Sequence, residues 1–207
     1  SILSTPLKTN NISQEKSDFL RIAFELKRVG IKDDEKITAR LKQHVEKYRW
    51  LPYGVTGPAW DSEYFLKAMK EILTRSEQSI REELEKEEKS LGLTREKQQE
   101  IYKQLRIDDL HRKLIQLAQD SIYMKACTKE AMFFGYYAAE KLFKEIARRL
   151  RIDLHLLRKI LPWEIGDTLK NGRVDVDELK DRYEYCFHLT EKGESRILTG
   201  DEAREFV

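Results

Sequence analysis

DDLHRKLIQLAQDSIYMKACTKEAMFFGYYAAEKLFKEIARRL, residues 108–150, contains no proline and a single glycine, Gly135. At 1.5 Å per residue it reads as a helix of roughly 60 Å, either continuous or broken at Gly135. Its centre, AMFFGYYAAE, is apolar on every side, a pattern that predicts a helix surrounded by protein. From Ala139 the pattern becomes one-sided through Leu142, Phe143, Ile146, Ala147 and Leu150. A run this long without breakers sets the fold class as mainly α, a multi-helix bundle.

The whole chain supports that class. It has 207 residues, enough for a core, with 37% charged and 40% hydrophobic residues but only 9 Gly and 4 Pro. The net charge of +2 supplies no global basic field for nucleic acid. Two cysteines, Cys127 and Cys186, do not make a disulfide framework. No apolar window is long enough to cross a membrane, and the first residues lack the basic-then-apolar order of a secretory leader. A cytoplasmic protein is therefore expected. The chain opens on Ser1 rather than Met, which suits a processed chain or an excised fragment.

Upstream, residues 1–13 read as a flexible arm and residues 14–182 as the helical domain. Phe19, Ile22, Ala23 and Leu26 give the first helix one apolar face, and Gly30 suits its C-terminal cap. Ile37, Leu41, His44, Val45 and Tyr48 do the same for a second helix, which must end before Pro52. A third follows a cap at Asp61 or Ser62. In 76–106 the acid-rich REELEKEEK and Gly92 predict a charged antiparallel helical hairpin, with Thr94 capping its second arm. A short helix is expected over 153–160, and Pro162 opens another. At 183–207 the period changes. YEYCFHL and SRIL flank the turn EKGE and predict a β-hairpin, after which Thr199 and Glu202 have capping-box spacing for a final helix.

YRWLPYGVTGPAW, residues 48–60, is the one stretch rich in aromatic residues, prolines and glycines together. It reads as a shaped connector between helices. Tyr48, Trp50, Tyr53 and Trp60 either plug the end of the bundle or wall a partly wet pocket with Tyr136 and Tyr137, where an apolar substrate would bind. Phosphate loops, dinucleotide fingerprints, HExxH, CxxC and GxSxG are absent, and the four histidines are scattered. His44 sits on an apolar stripe and reads as a packed residue. No catalytic or metal-ligating residue is assigned.

The run LRIDLHLLRKILPWEIGDTLKNGRVDVDELKDRYEYCFHLTEKGESRILTGDEAREFV resembles the segment that precedes the swivelling phosphohistidine domain of phosphoenolpyruvate-utilising enzymes, such as phosphoenolpyruvate synthase and rifampicin phosphotransferase. HVEKYRWLPYGVTGPAW and the helix around YMKACTKEAMFFGYYAAEKLFKEIARRL are similar to the helical region of shorter relatives. The resemblance implies a non-catalytic helical connector or substrate-positioning domain of a phosphotransferase. It implies a phosphohistidine domain beyond Val207, a small apolar acceptor, and ATP with Mg²⁺ or phosphoenolpyruvate as cofactors of the parent rather than of this chain. The histidine motif of that family has no counterpart here, so no catalytic residue carries over. Two other readings stand beside it: a scaffold or interaction module without ligand, and a nucleic-acid binder. The last rests on residues 141–159, with seven Lys or Arg against two acids, where Arg148 and Arg149 would meet phosphate. The same residues also suit the wet side of a helix near its C-terminus.

Overall fold

The computed structural model describes residues 2–206. It is mainly α, with one two-stranded antiparallel sheet near the C-terminus. It divides into two compact units, Ser1–Tyr137 and Ala138–Val207, and the division falls inside the longest helix.

Unit 1 is built on α1 (Asn11–Val29), α2 (Asp34–Tyr48), α3 (Ser62–Leu73) and α4 (Glu77–Gln104). Each begins on a side-chain cap: Asn10, Asp33, Asp61 and Ser76 accept from the N–H three residues on. α1 ends at Gly30, whose φ of 73° turns the chain while its N–H returns to Lys27 O. The apolar stripes meet in one core: Phe19, Ala23 and Leu26 from α1, Ile37, Leu41 and Val45 from α2, Phe65 and Met69 from α3, and Ile80 from α4.

The expected hairpin at 76–106 is not formed. α4 runs unbroken through Gly92, and the Thr94 hydroxyl bonds to Ser90 O inside the helix instead of capping a new one. A helix interior tolerates one glycine at about 1 kcal/mol. Strong helix formers on both sides and the Arg81–Glu85–Lys89 ion pairs help to offset that cost. Nor is the N-terminal segment loose. Gln98 Nε2 donates to Ile2 O and Thr5 O at 2.9 Å each, and Gln119 Nε2 donates to Leu3 O at 2.7 Å. Both glutamines are buried, so their amides have to find such partners. α1 accordingly starts at Asn11, whose side-chain amide donates to the buried Glu130 at 2.7 Å.

α5 (Asp109–Leu150) continues through Gly135 without a break. Its centre is not enclosed by protein: Met132 is 46% exposed and Phe134 50%. Phe133 and Tyr137 pack on the unit 1 core, while the opposite apolar face meets solvent.

Unit 2 takes the end of α5, α6 (Leu154–Leu157), α7 (Pro162–Asn171), α8 (Val176–Glu184), β1 (Cys186–Glu191), β2 (Glu194–Thr199) and α9 (Gly200–Glu205). Ile146, Ala147, Leu156, Leu157, Ile160 and Leu179 form its core. The aromatic run expected as strand is split, because Tyr183 still belongs to α8 and pairing starts at Cys186. The hairpin pairs Cys186 with Thr199 and Glu191 with Glu194. Lys192 and Gly193 both have positive φ, as a two-residue hairpin turn requires. Thr199 precedes α9 but its side chain makes no cap bond, so the expected capping box is not made. α9 is held instead by Ala203, which is fully buried.

The continuous α4 has a direct test. Gly92 is exposed, helical, and has open space where a Cβ would stand. Gly92→Ala is expected to raise stability by about 0.5–1 kcal/mol in urea denaturation. A loss of stability would mean that the chain turns there.

Candidate functional site

The connector 48–60 is a packed corner. Tyr48 and Tyr53 are sealed and Trp50 is only 8% exposed. Trp50 Nε1 donates to Lys47 O at 2.8 Å, and its ring meets the edge of Phe134 at 5.4 Å. Tyr53 meets Tyr137 edge-on at 5.7 Å. Trp60 is half-buried and stacks on Tyr64 at 4.7 Å. Gly57 has a φ of 72°, and a Cβ there would come within 3.0 Å of the Tyr53 ring, so the glycine lets the loop close over that ring. The structure thus brings Trp50, Tyr53 and Tyr137 together with Phe134. Tyr136 is half-buried beside them and makes none of these ring contacts.

Tyr48 also reaches a charged surface of unit 1. A groove of about 340 Å³ between α1 and α2 is lined by Asp18, Arg21, Glu25, Arg40, His44 and Tyr48, among others. Asp18 Oδ2 accepts from Tyr48 Oη at 2.7 Å and from Lys47 Nζ at 3.0 Å. Burial alone would raise the Asp18 carboxyl, but the bonds from Tyr48 and Lys47 outweigh it and hold the group below the usual range. Burial and the Asp18 carboxylate push the Tyr48 phenol up, so it stays a donor. His44 Nε2 lies 2.9 Å from Glu15 Oε1, with its ring against Phe19, Tyr48 and Phe65. The histidine is packed, as its place on the apolar stripe predicted. Arg21 pairs with Asp18, and Arg40 with Glu25. The charges along this groove alternate in sign, and Lys47 with Asp18 and Arg40 with Glu25 join α2 to α1. Asp18 is invisible to motif reading: it lies beside Phe19 in α1, and its partners Lys47 and Tyr48 come from α2.

Arg148 and Arg149 converge on one exposed carboxylate. Glu145 accepts two bonds from Arg148 at 2.8 Å each and one from Arg149 at 2.9 Å. Hydrogen bonds from Arg148 and then Arg149 hold the Glu145 carboxyl at about 2. Part of the local positive charge is therefore met within the helix.

A further buried polar cluster lies in unit 2. Arg182 is 8% exposed and donates to both Glu164 oxygens, at 2.7 and 2.9 Å, as well as to Glu178 and to Lys159 O. Glu164 also accepts the Leu161 N–H at 2.9 Å. The hydrogen bond with Arg182 holds the Glu164 carboxyl below its ordinary value despite burial, and the same bond raises the Arg182 guanidinium. These residues sit within the LPWEI and VDVDELKDR pieces, and the side chains tie α7 to α8. Among the described residues no three His, Cys, Asp or Glu side chains gather as a cation site, and no helix is long and apolar enough to cross a membrane.

Comparison with protein-family models, curated proteins and solved structures finds no match to this chain.

Two outcomes follow from this geometry. Trp50→Ala is expected to cost about 3–4 kcal/mol of stability by urea denaturation, the range for emptying a buried aromatic site; an unchanged midpoint would show that the indole is not a packing residue. Glu164→Gln is expected to cost about 2 kcal/mol at neutral pH, the scale of hydrogen bonds to a charged group. The folded carboxyl lies below its ordinary 4.5, so its contribution is full above that value and is lost as pH falls through the depressed value. Wild type and Glu164→Gln should therefore converge in acid; a constant gap from pH 7 to pH 2 would rule out the ion pair as the cause.

Proposed function

We propose that this chain is a non-catalytic helical connector of a phosphoenolpyruvate-synthase-like phosphotransferase, positioning a swivelling phosphohistidine domain that follows Val207. The observation that carries the reading is the order of elements in unit 2. α6, the Pro162-opened α7, α8 with VDVDELKDR, the hairpin and α9 succeed one another as the pieces of the resembling segment do. The Glu164–Arg182–Glu178 cluster supports a rigid platform, because a buried guanidinium with three acceptors fixes the helices that supply them. In this reading ATP with Mg²⁺ or phosphoenolpyruvate acts on other domains of the parent, and the aromatic corner stiffens unit 1. A small apolar acceptor would then contact the parent elsewhere.

A second reading, an interaction module, is favoured by one separate observation: the apolar face of α5 that meets solvent. The basic segment supports nucleic-acid binding less well, since Arg148 and Arg149 share Glu145.

The connector reading is tested by sequencing the gene past the Val207 codon and assaying the product. A glycine- and threonine-rich segment with a histidine is expected, labelled by phosphoenolpyruvate or ATP–Mg²⁺ only when that segment is present. An in-frame stop, or labelling of the 207-residue chain by itself, would overturn it.

A further inference from the structure

The solvent-facing side of α5 in unit 1 has a coiled-coil period. Leu110, Leu114, Leu117, Ser121, Met124, Thr128, Ala131 and Gly135 follow one another at alternating steps of four and three, and all eight are exposed. Leu110, Leu114, Leu117 and Met124 are each more than half exposed. A spacing of 3.5 residues kept over more than three heptads is the pattern of a helix that pairs with another helix. The seam is roughly 38 Å long at 1.5 Å per residue. The core of unit 1 does not use it: Gln119, Glu130, Phe133 and Tyr137 face inward from other positions.

We propose that this seam pairs antiparallel with the same seam of a second copy of the chain. Side-chain size is the first argument. The first three positions are leucines, the last three are Thr128, Ala131 and Gly135, and Ser121 and Met124 lie between them. Antiparallel pairing with Leu110 opposite the partner's Gly135 sets Leu114 on Ala131, Leu117 on Thr128, and Ser121 on Met124. Every layer then combines one large and one small side chain, which fills the space between two helices evenly. A parallel, in-register pair would set three leucine layers at one end and Ala131 and Gly135 against themselves at the other, leaving a gap.

Charge is the second argument, and it selects one register. The flanking positions that face each other in this alignment are Lys113 with Phe134, His111 with Met132, Asp120 with Cys127, and Ala118 with Lys125. None is a like-charge pair. The lysine stem at 113 would also cover the half-exposed Phe134 ring. Sliding the partner by one heptad in one direction sets Lys125 against itself and Lys113 against Lys141. Sliding it the other way sets Asp120 against itself. Like charges directly opposed disfavour the first neighbour most, because Lys8 Nζ already meets Asp120 Oδ1 at 3.0 Å within each copy. The inference rests on unit 1 and is independent of the connector reading.

The test uses the whole 207-residue chain. Sedimentation equilibrium from 1 to 100 μM is expected to show a reversible dimer. Leu114→Glu/Leu117→Glu should weaken it at least tenfold, with helical circular dichroism unchanged because both side chains are exposed in the single chain. Ala131→Leu, which adds no charge, should weaken it as well by overfilling the layer opposite Leu114. For direction, Leu117→Cys and Thr128→Cys chains are made in a Cys127→Ser/Cys186→Ser background. Oxidising the mixture should join position 117 of one copy to 128 of the other, and neither chain alone should cross-link. A monomer at every concentration, a dimer that survives both face variants, or cross-linking of either single-cysteine chain to itself would overturn the proposal. A monomer whose seam is covered by a different protein also overturns it, and leaves the connector reading untouched.

Discussion

Unit 1 depends on burying one side of α1. Phe19, Leu20, Ala23 and Leu26 are removed from water by the helices packed around them, the phenylalanine and the two leucines each contributing on the order of 1.5–3 kcal/mol and the alanine methyl less. α2, α3 and α4 all pack on this helix, so it is the common neighbour of the bundle. The polar links take their positions from that packing. Once the stripe faces inward, Asp18 faces Tyr48 and Lys47, Glu15 faces His44, and Arg21 reaches Glu88 on α4 at 2.9 Å. The exposed members of this set add little stability by themselves, but they favour one alignment of neighbouring helices over others.

Much of the fold was legible because local signals agreed with one another. Asp61 and Pro162 mark helix starts, Gly30 marks an end, and the apolar periods name the core faces. Gly92 misled because an isolated glycine signals a turn only when the chain gains something by turning. Here a continuous α4 keeps Ile80 and Leu84 buried at one end and Gln98 at the other. The apolar centre of α5 misled for the opposite reason. A helix with two apolar faces looks like one enclosed by protein, and sequence cannot say whether the second face has a neighbour. The buried Gln98, Gln119 and Glu130 were missed because their partners are 93 to 119 residues away, or lie on another helix.

The candidate site residues divide along similar lines. Composition alone picks out Trp50 and Tyr53, and composition cannot separate a pocket wall from a plug. The separating facts are three-dimensional: the indole N–H already has the Lys47 carbonyl, and the rings meet Phe134 and Tyr137 edge-on. The Glu164–Arg182 pair was within reach of sequence in another sense. Both residues lie in quoted pieces of the chain, but an 18-residue separation carries no period that would join them. Only the reversal between α7 and α8 brings the two side chains together.

The tie between the N-terminal segment and the two buried glutamines also bears on the order in which the chain can become ordered as it is made. The carbonyls of Ile2 and Thr5 leave the ribosome long before Gln98, from which they are separated by 96 and 93 residues, and Leu3 precedes Gln119 by 116. At synthesis rates of roughly 5–20 residues per second, these carbonyls stay hydrated for at least about 5 s after they emerge. Residues 2–5 are thus among the last parts of unit 1 to acquire their native bonds. α1, α2 and α3 can assemble while α4 is still being synthesised, and the N-terminal segment is clamped only after α4 and the first turns of α5 have arrived.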